Sequence, residues 1–286
     1  MKIILSRKGF DSTSGGGASP ILPDGRMLSL PIPSNSDLRR YDEIFLAGID
    51  VGKLVSDLTP LNARYNSTHI DPDLSVSTLP RKPGWRPALG QIASAQGHLR
   101  KHGVGLGDLF LFFGWFRNVE SLNGTWRYKP GSPDLHVLFG WLQIGEVVSI
   151  SGTQSIAAIV QRNPWLHDHP HIAVPKRFEK DGNTVYIATD HFCIGEQRIE
   201  QSGGGIFEKI DTKRILTAPG NSRSRWQLPS WFSPEGRQSA LSFHGKSKRW
   251  TPEGSTVRLN TVGRGQEFVL DCDHYPESID WLMQLF

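Results

Sequence analysis

Leu109-Phe110-Leu111-Phe112-Phe113-Gly114-Trp115-Phe116 is the stretch that decides the fold. After a turn-rich interval over residues 120–134 a second run follows at 135–150, Leu-His-Val-Leu-Phe-Gly-Trp-Leu-Gln-Ile-Gly-Glu-Val-Val-Ser-Ile. Both are rich in aromatic and β-branched residues and lack polar alternation, so they read as strands buried on two faces. The glycines inside them, Gly114, Gly140 and Gly145, are expected at the bends of a closed barrel, or where another backbone approaches closely. Residues 104–190 are accordingly the expected barrel core.

Working outward, residues 2–6 predict a first strand. The Gly- and Ser-rich loop Lys8-Gly-Phe-Asp-Ser-Thr-Ser-Gly-Gly-Gly-Ala-Ser-Pro20 follows it. Pro23-Asp24-Gly25 between apolar runs is a hairpin signal. Residues 43–46 predict a short strand and 51–58 a short helix. Ile92, Ala95 and Leu99 stand at helical spacing over 91–102, with Gly103 at the C-terminal stop. Later come a strand at 183–188 after the turn Asp181-Gly182, a loop at 202–205, and a Trp- and Pro-interrupted loop over 225–243. A strand at 264–271 precedes a closing helix at 278–286 that places Ile279, Leu282, Met283 and Phe286 on one face. With no internal repeat and no linker, the expected architecture is one α+β domain over 1–286, mainly β with a few short helices.

At 286 residues the chain can bury a core without disulfide staples. A 37% hydrophobic and 21% charged composition, with 30 Gly and 19 Pro, describes a folded, loop-rich protein. It excludes a collagen, a coiled coil and a largely disordered chain. Nine Trp against three Met is unusual. Because an indole N–H needs a partner, several of the nine are expected to line concave sites. No apolar run approaches the roughly 18–20 residues of a membrane span, and residues 1–6 are too short for a signal peptide. Cys193 and Cys272 match no paired metal or redox motif, so the expected compartment is the cytoplasm. A net charge of +4 and a pI near 9.1 suit a nucleotide or nucleic-acid partner, although the basic residues are too dispersed for a simple DNA-coating protein.

Four groups of residues can carry chemistry. In the N-terminal loop, successive Gly and Ser residues (Ser12, Gly15, Gly16, Ser19) offer backbone N–H groups and hydroxyls to an anion, and Lys8 adds charge. Asp11 can act there as acid or base, or can cap a turn; the Gly-Lys-Ser/Thr ending of a Walker loop is absent. His69, Asp71 and Asp73 place three potential ligands within a short loop, fit for a divalent metal or for a carboxylate-oriented histidine. His167-Asp-His169-Pro-His171 would put three imidazoles on one side of an extended chain, a ligand set for zinc, iron or nickel. Finally, Phe113, Trp115, Phe116 and Trp141, with Arg117 and Gln143, can build a base-stacking wall, although strand alternation sends Phe116 to the face opposite Phe113 and Trp115. His98, in a last helical turn, is a further acid/base candidate, and His136 reads as a structural group.

Ser6-Arg-Lys-Gly-Phe-Asp-Ser12, Ser19-Pro-Ile-Leu-Pro-Asp-Gly25 and Leu30-Pro-Ile-Pro33 resemble the third nucleotide modification associated domain family. So do His69-Ile-Asp-Pro-Asp73, the stretch 91–99, Gly107-Asp-Leu-Phe-Leu-Phe-Phe-Gly114 and Asn183-Thr-Val-Tyr186. The stretches 107–113 and 140–148 are in addition similar to PUA-like and EVE domains, small barrels that hold a nucleobase in an aromatic pocket. The resemblance implies a nucleotide- or nucleobase-modifying enzyme of a bacterial or phage system. Its partner would be a nucleotide or nucleic acid, DNA rather than RNA, alongside other proteins of that system. On this reading Lys8 and the Gly/Ser loop hold phosphate, Asp11, His69, Asp71 and His98 supply acid/base chemistry, and Trp115, Arg117, Trp141 and Gln143 contact the base. The alternatives are a non-catalytic reader of modified bases and a metalloenzyme built on the histidine cluster.

Overall fold

The structure is a computed structural model that describes residues 1–59, 67–174, 182–195, 197–234, 241–263 and 265–286. In the N-terminal part the strands are β1 (Lys2–Arg7), β2 (Ser19–Ile21), β3 (Ile32–Ser34), β4 (Phe45–Leu46), β5 (Ile49–Asp50), β6 (Ser67–His69) and β7 (Ala88–Gln91). Helices α1 (Val51–Leu58) and α2 (Ala93–Lys101) accompany them. The centre holds β8 (Leu109–Leu122), β9 (Thr125–Tyr128), β10 (Leu135–Ser149), α3 (Gly152–Arg162), α4 (Pro170–Ala173) and β11 (Thr184–Ala188). The remainder is β12 (His191–Ile194), β13 (Gln197–Ser202), β14 (Gly204–Ile206), β15 (Arg225–Pro229), β16 (Trp250–Glu253), β17 (Thr256–Asn260), β18 (Glu267–Asp271) and α5 (Glu277–Leu285).

The main sheet runs β18-β1-β8-β10-β11-β7, with β2, β9 and β14 paired at its margins. Ile3, Ile4 and Leu5 are all buried, so β1 is apolar on both faces and belongs inside, between β18 (antiparallel) and β8 (parallel). β8 and β10 form its long antiparallel centre, and β8 runs well past residue 116 into a hairpin with β9. The sheet is strongly curled. Five inter-strand spacings of about 4.8 Å would hold the edge strands β18 and β7 roughly 24 Å apart in a flat sheet. Yet Gln91 Nε2 at the end of β7 donates to Glu267 Oε1 at the start of β18 at 2.6 Å. Among the described residues no backbone ladder joins these edges, so the expected closed barrel is instead an open, curled sheet whose gap is bridged by side chains.

The strand glycines serve close approach. A Cβ on Gly114 would meet the Lys8 carbonyl, and one on Gly140 the Gly205 carbonyl. Successive residues of β1 diverge to the two faces. Lys8, in line with Ser6 and its cross-strand partner Glu267, faces one side, where Lys8 Nζ lies 3.1 Å from Glu267 Oε1. Arg7, in register with Phe113, faces the other, where Phe113 packs against His136, Trp226 and Phe268. Each such buried aromatic contributes about 1.5–3 kcal/mol.

Other expectations shift in detail. α1 spans the predicted residues, and Asp50 caps it by accepting from the Lys53 N–H. The Pro23-Asp24-Gly25 turn forms, with Gly25 N–H donating to Leu22 O, but its return side is only a bridge at Met27 because β2 pairs instead with β8. Within 225–243, the stretch expected as loop contains β15, which buries Trp226 and Leu228 on alternate positions. α5 buries Ser278, Trp281, Leu282 and Leu285, while Met283 is exposed. α3 had no predicted counterpart. Residues 181 and 264, and 235–240 of the predicted loop, lie outside the described residues. No helix among the described residues is long and apolar enough to cross a membrane.

Candidate metal centre

β6 ends at His69, held in register by Ile32 of β3. The chain then turns tightly, Asp71 N–H donating to His69 O at 3.0 Å, and rejoins the sheet where Asp73 bridges Ala88 of β7. This turn puts His69 and Asp71 side by side under Gly90, whose N–H donates to Asp71 Oδ1 at 2.7 Å. From far along the chain, α4 delivers His171 to the same point. Pro170 opens that short helix and His169 caps it, accepting from the His171 N–H. A side chain on Gly90 would collide with the His171 ring, so glycine is what admits the imidazole.

The result is a buried cluster. His69 Nε2 and His171 Nε2 each lie 3.8 Å from Asp71 Oδ2, and the three donor atoms fall within 4.8 Å of one another. Two donors each about 2.1 Å from one metal stand roughly 3–3.5 Å apart, so the two His–Asp71 sides of the triangle need only a few tenths of an ångström of closure, and the imidazole rings must draw together to complete it. The outer hydrogen bonds orient both rings for it. His69 Nδ1 lies 3.1 Å from Asp37 Oδ2, and an ionised carboxylate can only accept, so Nδ1 carries the proton. Asn183 Nδ2 donates to His171 O at 2.9 Å, which turns its Oδ1 toward His171 Nδ1 at 2.6 Å. Nδ1 is therefore the donor in His171 as well, and both Nε2 lone pairs face Asp71.

His169 differs. Its Nδ1 accepts from the His171 backbone N–H at 3.3 Å, so its proton sits on Nε2, 3.7 Å from Asp71 Oδ1 and without a hydrogen-bond partner among the described residues. Burial pushes the Asp71 carboxyl up to about 6, against the pull of His69 and Lys8. Burial likewise drives His171 down to about 3, assisted by His69, and His169 well below its ordinary value. Two neutral imidazoles and one carboxylate are a donor set suited to a first-row divalent transition metal. A cavity of about 460 Å³ opens beside the cluster, lined by Asp71, Gly9, Met27, Leu74, Phe139 and Glu208 among others.

The structure thus joins parts of two sequence groups and separates others. His167 is exposed beside Asp168 and points away, because residues 164–168 form a 3₁₀ turn instead of the extended chain that would align three histidines. Asp73 is buried in a bidentate ion pair with Arg81, both contacts at 2.6 Å. His98, held down near 4 by burial, stacks on Phe243 and shares a hydrogen bond with Ser242. Lys8 is committed to Glu267 on the cluster side of the sheet. Gly15 packs against the Phe10 ring, Gly16 adopts a positive φ in open space, and Ser19 Oγ accepts from the Leu30 N–H.

Asp11 Oδ1 accepts from the N–H groups of Thr13 and Ser14 and from the Thr13 hydroxyl, capping its own turn. Asp11 and Ser12 line a cleft with Trp115 on the opposite sheet face from Lys8, apart from the cavity that Asp71 lines. The other aromatic-wall residues scatter. Trp141 packs on Phe207 and Phe286, Arg117 lies over Tyr128, and Gln143 bonds the backbones of Gly107 and Cys193. Sequence reading missed Asp37 and Asn183, which no spacing connects to the histidines. The His69-Ile-Asp71 spacing was the legible part of the centre.

No curated protein and no solved structure matches the chain. Residues 2–271 match the model of the family described as nucleotide modification associated domain 3, and the chain belongs to that family.

Proposed function

We propose that this protein is a divalent-metal-dependent enzyme of a nucleotide-modification system, with the metal bound by His69 Nε2, Asp71 Oδ2 and His171 Nε2. Membership of a family associated with nucleotide modification supports the substrate class. The convergence of the three donor atoms, each imidazole oriented by its own outer hydrogen bond, carries the metal assignment. Three protein ligands leave coordination positions open for water or a substrate oxygen, which the ion polarises. His169, with its proton on the inward nitrogen, is placed to donate a hydrogen bond beside the metal.

The adjoining cavity suits the base of a nucleotide better than its phosphate. Its Arg26 is already paired with Asp24 and its Asp73 with Arg81, and Asp71 is taken up by the metal, so the charge left elsewhere at its walls is the carboxylate charge of Glu208. Carboxylates accept hydrogen bonds from the amino groups of a heterocycle and repel phosphate.

Elemental analysis of protein purified without chelators, followed by Co²⁺ titration of the stripped protein, tests the reading. About one transition-metal ion per chain is expected, with a visible Co²⁺ ligand-field band that His69→Ala and His171→Ala each abolish and His167→Ala retains. Metal content well below one per chain, with no such band, overturns it.

A further inference from the structure

We propose that the cleft on the Arg7 face of the sheet is a second, independent binding site, for the phosphate group of a nucleotide or of a nucleic-acid backbone. The cleft has a volume of about 280 Å³ and lies between the 7–13 loop, Trp115 and His136 of the central strands, and residues 223–224 and 261–263. It does not depend on the metal assignment, because the sheet itself divides it from the His69–Asp71–His171 cluster.

Two guanidinium groups converge there. Arg7 donates to the carbonyls of Gly263 and Gly265 at 3.3 and 3.1 Å, which fixes its fork at the wall of the cleft. Arg223 Cζ lies over the Trp115 ring, 3.9 Å from its centroid, and the side chain donates to Ser12 Oγ at 3.2 Å. Among the described residues neither arginine forms an ion pair. That is unusual for two arginines sharing one concavity, since each repels the other and neither is left simply extended into water. Arg7 Nε is buried and has no acceptor among the described residues. Arg7 thus brings to the wall of the cleft a charge with no counter-ion among the described residues, which an incoming anion supplies.

The rest of the wall is neutral apart from Asp11. Trp226 Nε1 donates to His136 Nδ1 at 3.0 Å, so the proton of His136 resides on Nε2. Burial and the two nearby arginines keep this ring neutral, at about 3. Ser12, Thr13 and Thr261 line the same space; Thr13 and Thr261 donate their hydroxyl protons to Asp11 Oδ1 and Ser224 O, while Ser12 Oγ accepts from Arg223 and keeps its own proton. Among the lining residues the one opposing charge is Asp11, against two guanidinium groups, and its Oδ1 is turned to its own loop by the donors of Thr13 and Ser14. Ligand pockets for whole small molecules run from roughly 300 Å³ upward, so this cleft takes a phosphate and part of its sugar, not a complete nucleotide. Planar, bidentate donors are the chemistry that recognises phosphate. The apolar, carboxylate-bearing cavity beside Asp71 lacks it.

The test uses the full chain. Calorimetry measures binding of inorganic phosphate, a nucleoside 5′-monophosphate and the same nucleoside without phosphate; anisotropy measures a fluorescent single-stranded DNA oligonucleotide. The monophosphate and the oligonucleotide are expected to bind and the bare nucleoside to bind at least tenfold more weakly. Arg223→Gln is expected to weaken the phosphate-bearing probes at least tenfold, with unchanged thermal stability and metal content. Arg7→Gln, which also loses two backbone contacts, serves as the second variant. Oligonucleotide binding much tighter than monophosphate binding, with a steep salt dependence, assigns the site to a polymer backbone; comparable affinities assign it to free nucleotides. Wild-type affinity of Arg223→Gln for every phosphate-bearing probe, or failure of the wild type to bind any, overturns the proposal. Neither result bears on metal loading.

Discussion

Asp37 Oδ2 accepts the His69 Nδ1 proton at 3.1 Å, and this contact turns an ordinary buried histidine into one whose second nitrogen faces a carboxylate and another imidazole. Asp37 itself is held by a short turn in which Ser34 Oγ accepts from the Ser36 and Asp37 N–H groups. Outer carboxylates of this kind typically change metal affinity by about 10- to 100-fold when removed. Asp37→Ala is therefore expected to weaken Co²⁺ or Zn²⁺ affinity by a factor in that range, measured by competition with a chromophoric chelator. Unchanged affinity would show that His69 needs no such orientation.

Gly90 sits where any side chain would strike the His171 ring. Gly90→Ala is expected to cost about 1–3 kcal/mol by overpacking and to displace His171 from the cluster. Denaturant unfolding and metal analysis of the variant check this together. A variant that is both as stable as the parent and fully metal-loaded would contradict the close packing seen between β7 and α4.

Lys8 and Glu267 form a buried ion pair, with Gln91 completing it. Removing one charge from such a pair typically costs about 3–5 kcal/mol, since the other is left buried and uncompensated. Lys8→Met is expected to fall in that range. The double variant Lys8→Met/Glu267→Gln, which removes both charges and keeps an acceptor for Gln91, is expected to recover most of the loss. Equal stabilities of the single and double variants in urea titrations would refute the pairing.

Three histidines outside the cluster, His136, His98 and His244, are held by burial at about 3, 4 and 4. Their ordinary value is about 6.5, so the unfolded chain binds more protons than the folded one between about pH 6.5 and 3. Stability is then present above pH 6.5 and is lost as the pH falls through this window. Asp71, raised to about 6, and Asp73, also raised by burial, act in the opposite sense at the acid end of this window, but two carboxyls oppose three imidazoles. Metal-free protein should show a falling urea midpoint from pH 7 to pH 4. His136→Gln, which still accepts from Trp226, should flatten that slope; a midpoint independent of pH would argue against buried neutral histidines.

Local physics made much of the secondary structure legible. The apolar runs at 109–116 and 135–150 could only be buried strands, α1 followed from its own spacing, and the Pro23-Asp24-Gly25 turn formed because its residues prefer it. His69 and Asp71 were readable as a pair because a two-residue spacing in a turn keeps them together whatever surrounds them. The ends of the main sheet were harder, since a side-chain bridge between Gln91 and Glu267, and not a backbone ladder, spans the gap where a closed barrel was expected.

What the sequence by itself determined, then, is which residues are buried strand, which turn, and which short segment carries ligating side chains, because those depend on near neighbours. Tertiary structure alone decided that His171 and not His167 joins His69 and Asp71, that Asp37 and Asn183 orient the rings, and that Lys8 and Arg7 part to opposite faces. Each of these rests on contacts between segments far apart in the chain, and on how one curled sheet apportions its two sides. Neither leaves a trace in local composition.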